Sequence, residues 1–336
     1  MIHGMTSETQ FAEVIELIKK SREQAYKAVN TTLIELYWEI GQTISRKIAL
    51  SEWGEGIVEQ LASYISKTQP GIRGFTRPNL FRMRQFYEAY CSDAIVSPLV
   101  RQLPWTHNLI ILSQSKRPEE REFYIRMAIR EQWSKRELEH QFKTALFERS
   151  VLHPPKVSST VAQTHPNALN VFKDIYILDF LNLPDNHQES DLHNALLQQL
   201  KKFLIELGRD FCFVGSEFTL QIGGRDFSLD LLFFHRELNC LIAIELKIGR
   251  FEPEYIGKLA FYLEALDRDV KKIHENPAIG ILLCASKDNE VVEYALSRTL
   301  SPALIAEYQT KLPDKKLLSD KLHEFYLQHN NLGDKA

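Results

Sequence analysis

At 336 residues and 44% apolar content the chain is long enough for two domains with separate cores. Its longest apolar runs, such as Ile279 to Ala285, fall far short of the roughly 20 residues of a membrane helix, and its opening Met1-Ile2-His3-Gly4 lacks the charged start and apolar run of a secretory signal, so a cytoplasmic protein without membrane spans is expected. The net charge of -3 argues against indiscriminate nucleic-acid binding, but it is unevenly shared: residues 1–150 carry 21 Lys/Arg against 18 Asp/Glu, and the remainder 20 against 26.

From residue 8 to residue 150 apolar residues recur at helical spacing, as in Phe11, Val14, Ile15, Ile18 and again Phe123, Ile125, Ala128, Ile129, which predicts an all-α N-terminal domain. Within it, Ser66 to Tyr87 carries Lys67, Arg73, Arg77, Arg82 and Arg84 and no acid. A helix to Ile65, a turn at Pro70-Gly71 and a second helix from Arg77 have the layout of a helix-turn-helix, so Arg73, Arg77, Arg82 and Arg84 are candidate DNA phosphate contacts. A solvated helix pair with a protein-binding face, including one that joins copies of the chain into a homo-oligomer, is the competing reading. Trp105 and Trp133 are expected as core anchors. Residues 151–170, with Pro154, Pro155 and Pro166 and no periodicity, are expected to be a linker.

Residues 171–336 then change character. Ser190 is positioned to cap a helix with an apolar stripe through Leu192, Leu196, Leu200, Phe203 and Leu207, ended by Gly208. Next the period drops to two: Glu217 to Ile222 alternates, Gly223-Gly224 makes a tight turn, and Asp226 to Leu231 alternates again. A third strand, Cys240 to Lys247, follows a short loop. Pro253 opens a helix through Ile256, Leu259, Leu263 and Leu266, and Ala278 to Cys284 reads as a buried strand. The prediction is an α/β domain built around a three-strand meander, with a mixed sheet flanked by helices.

The turn lengths fix the register, and the register brings chemistry together. A four-residue loop, Arg236 to Asn239, sets Asp230 opposite Glu245, where facing Cβ atoms lie roughly 4.5 to 5.5 Å apart. Two carboxylates at that separation repel unless a cation lies between them, and Mg²⁺ or Mn²⁺, a hard ion that takes oxygen ligands, is the natural one, with the backbone carbonyl of Leu246 as a further ligand. Lys247 projects on the same face about 6.6 Å along the strand, close enough to orient an attacking water and offset charge on a phosphorane. The Gly223-Gly224 turn puts Glu217 on the other flank of Asp230, as an accessory ligand. Lys258 and Tyr262, on the next helix, are candidate nucleic-acid contacts. Other chemistries find no support: Cys91, Cys212, Cys240 and Cys284 form no CxxC pair, the histidines have no zinc spacing, and Gly257-Lys258 is not a phosphate loop.

Asp230 followed by Glu245-Leu246-Lys247, after a helix and a meander, resembles the PD-(D/E)XK nuclease superfamily. The resemblance narrows further: Phe213-Val214-Gly215, Asp230-Leu231-Leu232-Phe233, Ile244-Glu245-Leu246-Lys247, Pro253 to Lys258 and Phe261-Tyr262-Leu263 are similar to YhcG-like proteins, as are Gln102 to His107 and Trp133 to Leu138 upstream. That resemblance implies a restriction-endonuclease-like domain behind a helical one, and a metal-dependent endonuclease acting on DNA in preference to RNA. It also implies an acid on the first helix, where this chain has Asp191-Leu192-His193. His193 is therefore a candidate metal ligand, with Asp191 and Glu189 the nearby acids able to compensate. If none does, the alternative is a catalytically weak or inactive nuclease fold that serves as a DNA-binding or assembly module.

Overall fold

The computed structural model describes the backbone of residues 7–50, 56–184 and 186–333, and the side chains of 28–50, 56–184 and 186–328. Met1 to Gly4 and the side chains of Phe11 to Ile18 lie outside the described residues. The chain divides into two compact units, Met1–Glu139 and His140–Ala336.

Among its described residues the first unit is helical and has no strand. It contains α1 (Ser7–Ala49), α2 (Ile57–Thr68), α3 (Arg77–Tyr90), α4 (Val96–Leu99), α5 (Trp105–Gln114) and α6 (Pro118–Glu131), and its last residues open α7 (Lys135–Lys143). Pro78 and Pro118 stand in the first turns of α3 and α6, where a missing N–H costs nothing. Ile34, Tyr37 and Ile44 of α1 are buried, as are Leu80, Met83 and Phe86 of α3. Trp105 anchors this core: its indole N–H donates to Asn79 Oδ1 at 3.0 Å, and its ring centroid lies 4.8 Å from Tyr37 and 5.2 Å from Phe86. Trp133 is also buried. Gly41 is what lets α1 approach α3 so closely, since a Cβ there would fall 2.2 Å from the Met83 carbonyl oxygen. Backbone cannot swing aside as a side chain can, so Gly41→Ala is expected to destabilise this unit by about 1–3 kcal/mol. Thermal unfolding checks this, and a variant as stable as the wild type would mean that the two helices are not held at this distance.

In the second unit α8 (Leu146–Leu152), α9 (Ser159–Thr164) and α10 (Ala168–Val171) occupy the stretch expected as a linker. That expectation is corrected. The Ser158 hydroxyl caps α9, the Ser158 N–H donates to Ala303 O at 3.0 Å, and Val161 and Ala168 are fully buried. The prolines and polar residues there punctuate short helices that pack on the sheet. The free cysteines divide evenly: Cys240 and Cys284 are buried, Cys91 and Cys212 exposed.

Among the described residues six strands form one mixed sheet: β1 (Ile175–Ile177), β2 (Phe211–Ile222), β3 (Arg225–His235), β4 (Cys240–Arg250), β5 (Asn276–Ser286) and β6 (Ala303–Gln309), in the order β1-β6-β5-β4-β3-β2. The meander β2–β3–β4 is antiparallel, and β4, β5, β6 and β1 run parallel. Gly223 and Gly224 both have positive φ, 58° and 73°, as a two-residue turn of the type that matches strand twist requires. The sheet is covered on both faces. On one lie α11 (Glu189–Gln198) and α12 (Leu200–Leu207), whose Leu192, Leu196, Phe203 and Leu207 join Leu231, Ile242, Ile244 and Ile281 in one core. On the other lies α13 (Tyr255–Ala265), whose Leu259, Tyr262 and Leu263 join Leu229, Leu241, Ala243 and Leu282. The helices α14 (Asn289–Ser297) and α15 (Lys315–Gly333) complete the unit.

The helix expected from Ser190 to Leu207 is two helices, α11 and α12, broken at Gln199, whose φ and ψ of −111° and 26° leave the helical region. Its cap is also different. Gln188 is the N-cap, and Asp191 closes a capping box by accepting from the Gln188 N–H at 2.9 Å.

Candidate active site

The observed pairing of β3 with β4 runs from His235–Cys240 to Leu231–Ile244, the register that the four-residue loop predicts. One step further the ladder opens at Asp230 and Glu245. There the Leu246 N–H donates to Asp230 Oδ2 at 2.8 Å, so the strand's own backbone holds that carboxylate in place. Glu245 sits on the α13 face of β4, 1% exposed, and Lys247 follows two residues on. The sequence-predicted trio therefore gathers at the point where β3 and β4 part, between the first turn of α11 and the first turns of α13.

Two ammonium groups neutralise this acidic pair. Lys258 Nζ donates to Glu245 Oε2 at 2.9 Å and lies 5.2 Å from the centre of the Tyr262 ring. Lys247 Nζ donates to Leu246 O at 2.6 Å and to Glu189 Oε1 at 2.9 Å, and stands 3.9 Å from Glu245 Oε2. Glu245 Oε1 is buried and has no hydrogen-bond partner. Burial first, and then the nearby charge of Asp230, raise the Glu245 pKa, while Lys258 and Lys247 pull it down. Burial alone would lower the Lys258 pKa, but its hydrogen bond and charge contact with Glu245 outweigh that and raise it.

These residues suit a hard divalent cation. A fully buried carboxylate oxygen without a donor forfeits several kcal/mol, a loss that a cation removes. The donor set is two carboxylates and a strand carbonyl, all oxygen, which fits Mg²⁺ or Mn²⁺ better than a thiophilic metal. Among the described residues no group of three or more His, Cys, Asp or Glu is close enough to form a complete protein cage, so water and substrate oxygens would fill the remaining positions.

The other expected site residues fall in different places. His193 Nε2 lies 3.2 Å from the carbonyl oxygen of Asp230, which can only accept, so the hydrogen bond is donated by this nitrogen. Asp191 is spent on the helix cap. Glu217 is exposed and adopts φ 46°, and the β2–β3 ladder skips the Glu217–Asp230 position while pairing on both sides of it. Tyr262 is buried, its hydroxyl donating to Ser228 O at 2.9 Å, which places it in the packing of α13 on β3 instead of on an open surface. In the first unit Arg73 and Arg82 are exposed, Arg84 pairs with Glu88 at 2.7 Å, and Arg77 lies 3.8 Å from Glu59 and over the Phe81 ring. Sequence reasoning did not anticipate the Lys258–Glu245 bond or the Lys247–Glu189 bond. The available signal was helical spacing: Glu189 lies four residues before His193, on the same face of α11.

Residues 169–323 match the family described as "YhcG PDDEXK nuclease domain", and residues 13–149 match "DUF1016 N-terminal domain". The Escherichia coli (strain K12) protein described as "Putative nuclease YhcG" is 32% identical over 346 residues, covering 92% of each chain. Among solved structures, a repair endonuclease from Pyrococcus abyssi aligns with 38% of this chain at 14% identity and a TM-score of 0.25. EndoMS in apo form aligns with 38% at 16% identity and a TM-score of 0.24. Each of those two alignments spans 48% of the solved chain, about half its length.

Proposed function

We propose, from the premise that this chain belongs to the YhcG family of PDDEXK nucleases, that it is a metal-dependent DNA endonuclease in which Asp230 and Glu245 hold Mg²⁺ or Mn²⁺ and Lys247 assists the attacking water. The observation that carries the reading is Glu245 Oε1, buried beside a second carboxylate with no donor of its own. In this reading Glu245 divides its two oxygens: Oε2 stays on Lys258 and Oε1 is left for the cation. Asp230, fixed by the Leu246 amide, supplies the second anionic ligand, and the Leu246 carbonyl becomes available once the Lys247 ammonium swings off it.

A divalent cation bound there would polarise the scissile phosphate and make a bound water more acidic. The protein does the rest. Lys247, 15% exposed, presents an ammonium that can donate to the water or to a non-bridging phosphate oxygen and offset the charge that builds there. His193, with Nε2 engaged by Asp230, offers Nδ1 as a direct or water-bridged ligand. Arg73 and Arg82 of the helical unit are solvated cations suited to phosphate contacts that position a duplex without reading its sequence.

The test is cleavage of a mixed panel of labelled DNA and RNA structures, duplex, nicked, branched and single-stranded, with and without Mg²⁺ or Mn²⁺. Metal-dependent cutting of DNA that is lost in Lys247→Ala is the expected result. If the protein binds DNA yet cuts nothing, and binding is indifferent to Lys247→Ala, the fold serves as a binding module and the catalytic reading fails.

A further inference from the structure

Lys247 presents a difficulty that the proposed chemistry does not itself resolve. A metal site built from Asp230, Glu245 and the Leu246 carbonyl has a flexible cation of its own within reach. Lys247 already donates to Leu246 O at 2.6 Å, and its Nζ is 3.9 Å from Glu245 Oε2. Beside it is the unpartnered Glu245 Oε1. With nothing else to hold it, the ammonium would close that last gap and occupy the oxygens that the cation needs, because a buried carboxylate is the strongest acceptor nearby.

One acid stands on the other side of this ammonium. Glu189, in the first turn of α11, accepts from Lys247 Nζ at 2.9 Å, and its side chain is 44% exposed while that of Lys247 is 15% exposed. The helix start that carries it is fixed independently of this contact, since the Gln188–Asp191 capping box needs neither Glu189 nor Lys247. Glu189 therefore has a rigid base and a side chain free to serve the site.

We propose that Glu189 is a positioning residue that tethers Lys247 on the α11 side of the site, stopping its ammonium 3.9 Å short of Glu245 Oε2 so that a divalent cation can bind the two carboxylates. The inference rests on the metal-site reading above. It assigns Glu189 no direct bond to the metal: its role is to give Lys247 somewhere else to be. The His193 position, one helical turn later, carries no charge that would do the same.

The test is Mn²⁺ binding to the full chain, followed by the loss of the free-ion magnetic resonance signal and by calorimetry, so that the readout does not depend on turnover. Glu189→Gln is expected to weaken Mn²⁺ binding by roughly 10- to 100-fold, the range for residues that orient metal-site groups. Glu189→Asp, which keeps the charge, should retain most of the affinity. The deciding variant is Glu189→Gln with Lys247→Met. If the lost tether acts through Lys247, removing the ammonium restores Mn²⁺ affinity to that of Lys247→Met alone. A Glu189→Gln variant that binds Mn²⁺ as the wild type does would overturn the inference, and so would a double variant as weak as Glu189→Gln, which would make Glu189 act on the metal itself. Wild-type protein without Asp230-dependent Mn²⁺ binding would remove the metal site, and this inference with it, an outcome distinct from either of those.

Discussion

Asp230→Asn is expected to abolish metal-dependent cleavage while leaving the metal-free protein as stable as the wild type or more so. The substitution keeps the shape and an oxygen that can still accept the Leu246 N–H, now at 2.8 Å, so the junction of β3 and β4 has no reason to distort. What it removes is one of two negative charges. If the cation contributes several kcal/mol of charge stabilisation, and each 1.4 kcal/mol is about tenfold in rate, the loss is on the order of 10³-fold or more. The stability effect has the opposite sign. Burial and the Asp230 charge raise the folded-state pKa of Glu245. A carboxyl whose pKa is raised by folding contributes stability that is full at low pH and is lost as pH climbs from the ordinary carboxylate range through the raised value. Without the Asp230 charge that loss shrinks, so metal-free Asp230→Asn should lose less stability over this window than the wild type. Adding Mg²⁺ should reverse the ranking: a site holding metal at 100 times its Kd gains about 2.7 kcal/mol, a gain expected of the wild type and not of Asp230→Asn. Melting curves with and without Mg²⁺ at several pH values, paired with cleavage rates, test all three statements. An Asp230→Asn enzyme that cuts within tenfold of the wild type would sink the proposed role of this residue.

The centre of this site was legible because two turns are short. Gly223-Gly224 and the loop from Arg236 to Asn239 leave almost no freedom in how β2, β3 and β4 pair, and alternation then dictates which residues share a face. Asp230, Glu245 and Lys247 follow from that arithmetic. What local pattern does not encode is where long side chains go: Lys258 could have faced solvent, yet it turns to Glu245, a choice made by the depth of the carboxylate and not by anything in the sequence around Lys258. Glu217 shows where register reasoning stops, since the predicted register holds on both sides of it, at Ser216–Leu231 and Phe218–Leu229. The count places it beside Asp230, but its φ of 46° takes it out of the ladder at that one position, and no glycine or proline warned of it. β1 spans three residues, too few to show a period, and pairs as an edge strand with β6. The stretch 151–170 looked like a linker because its contacts are remote in sequence, as with Ser158 and Ala303.

Lys287→Met is expected to destabilise the second unit by about 3–5 kcal/mol. Lys287 follows β5, Asp174 precedes β1, and their side chains are 3% and 4% exposed. The ammonium donates to the Asp174 carboxylate and, at 3.0 Å, to the Ile305 carbonyl in β6, while the Asp174 carbonyl accepts from the Glu307 N–H at 2.8 Å. One buried pair thus ties β5, β6 and the segment leading into β1. Replacing only the lysine leaves Asp174 buried without its counter-charge, a loss of about 3–5 kcal/mol, whereas replacing both partners is often close to neutral. For a unit of this size that is a fall in melting temperature on the order of 10 °C. Burial lowers the folded pKa of Lys287, with Asp174 resisting the shift. In the window below the ordinary lysine value the unfolded chain then binds more protons than the folded one, so this residue's contribution to stability rises with pH. The gap between wild type and Lys287→Met should accordingly widen as the solution is made alkaline. Lys287→Met combined with Asp174→Asn should recover most of the loss, since no buried charge is left unpaired. A single variant within about 1 kcal/mol of the wild type, or a double variant no more stable than the single, would mean that this pair is not what holds β1 and β6 to the sheet.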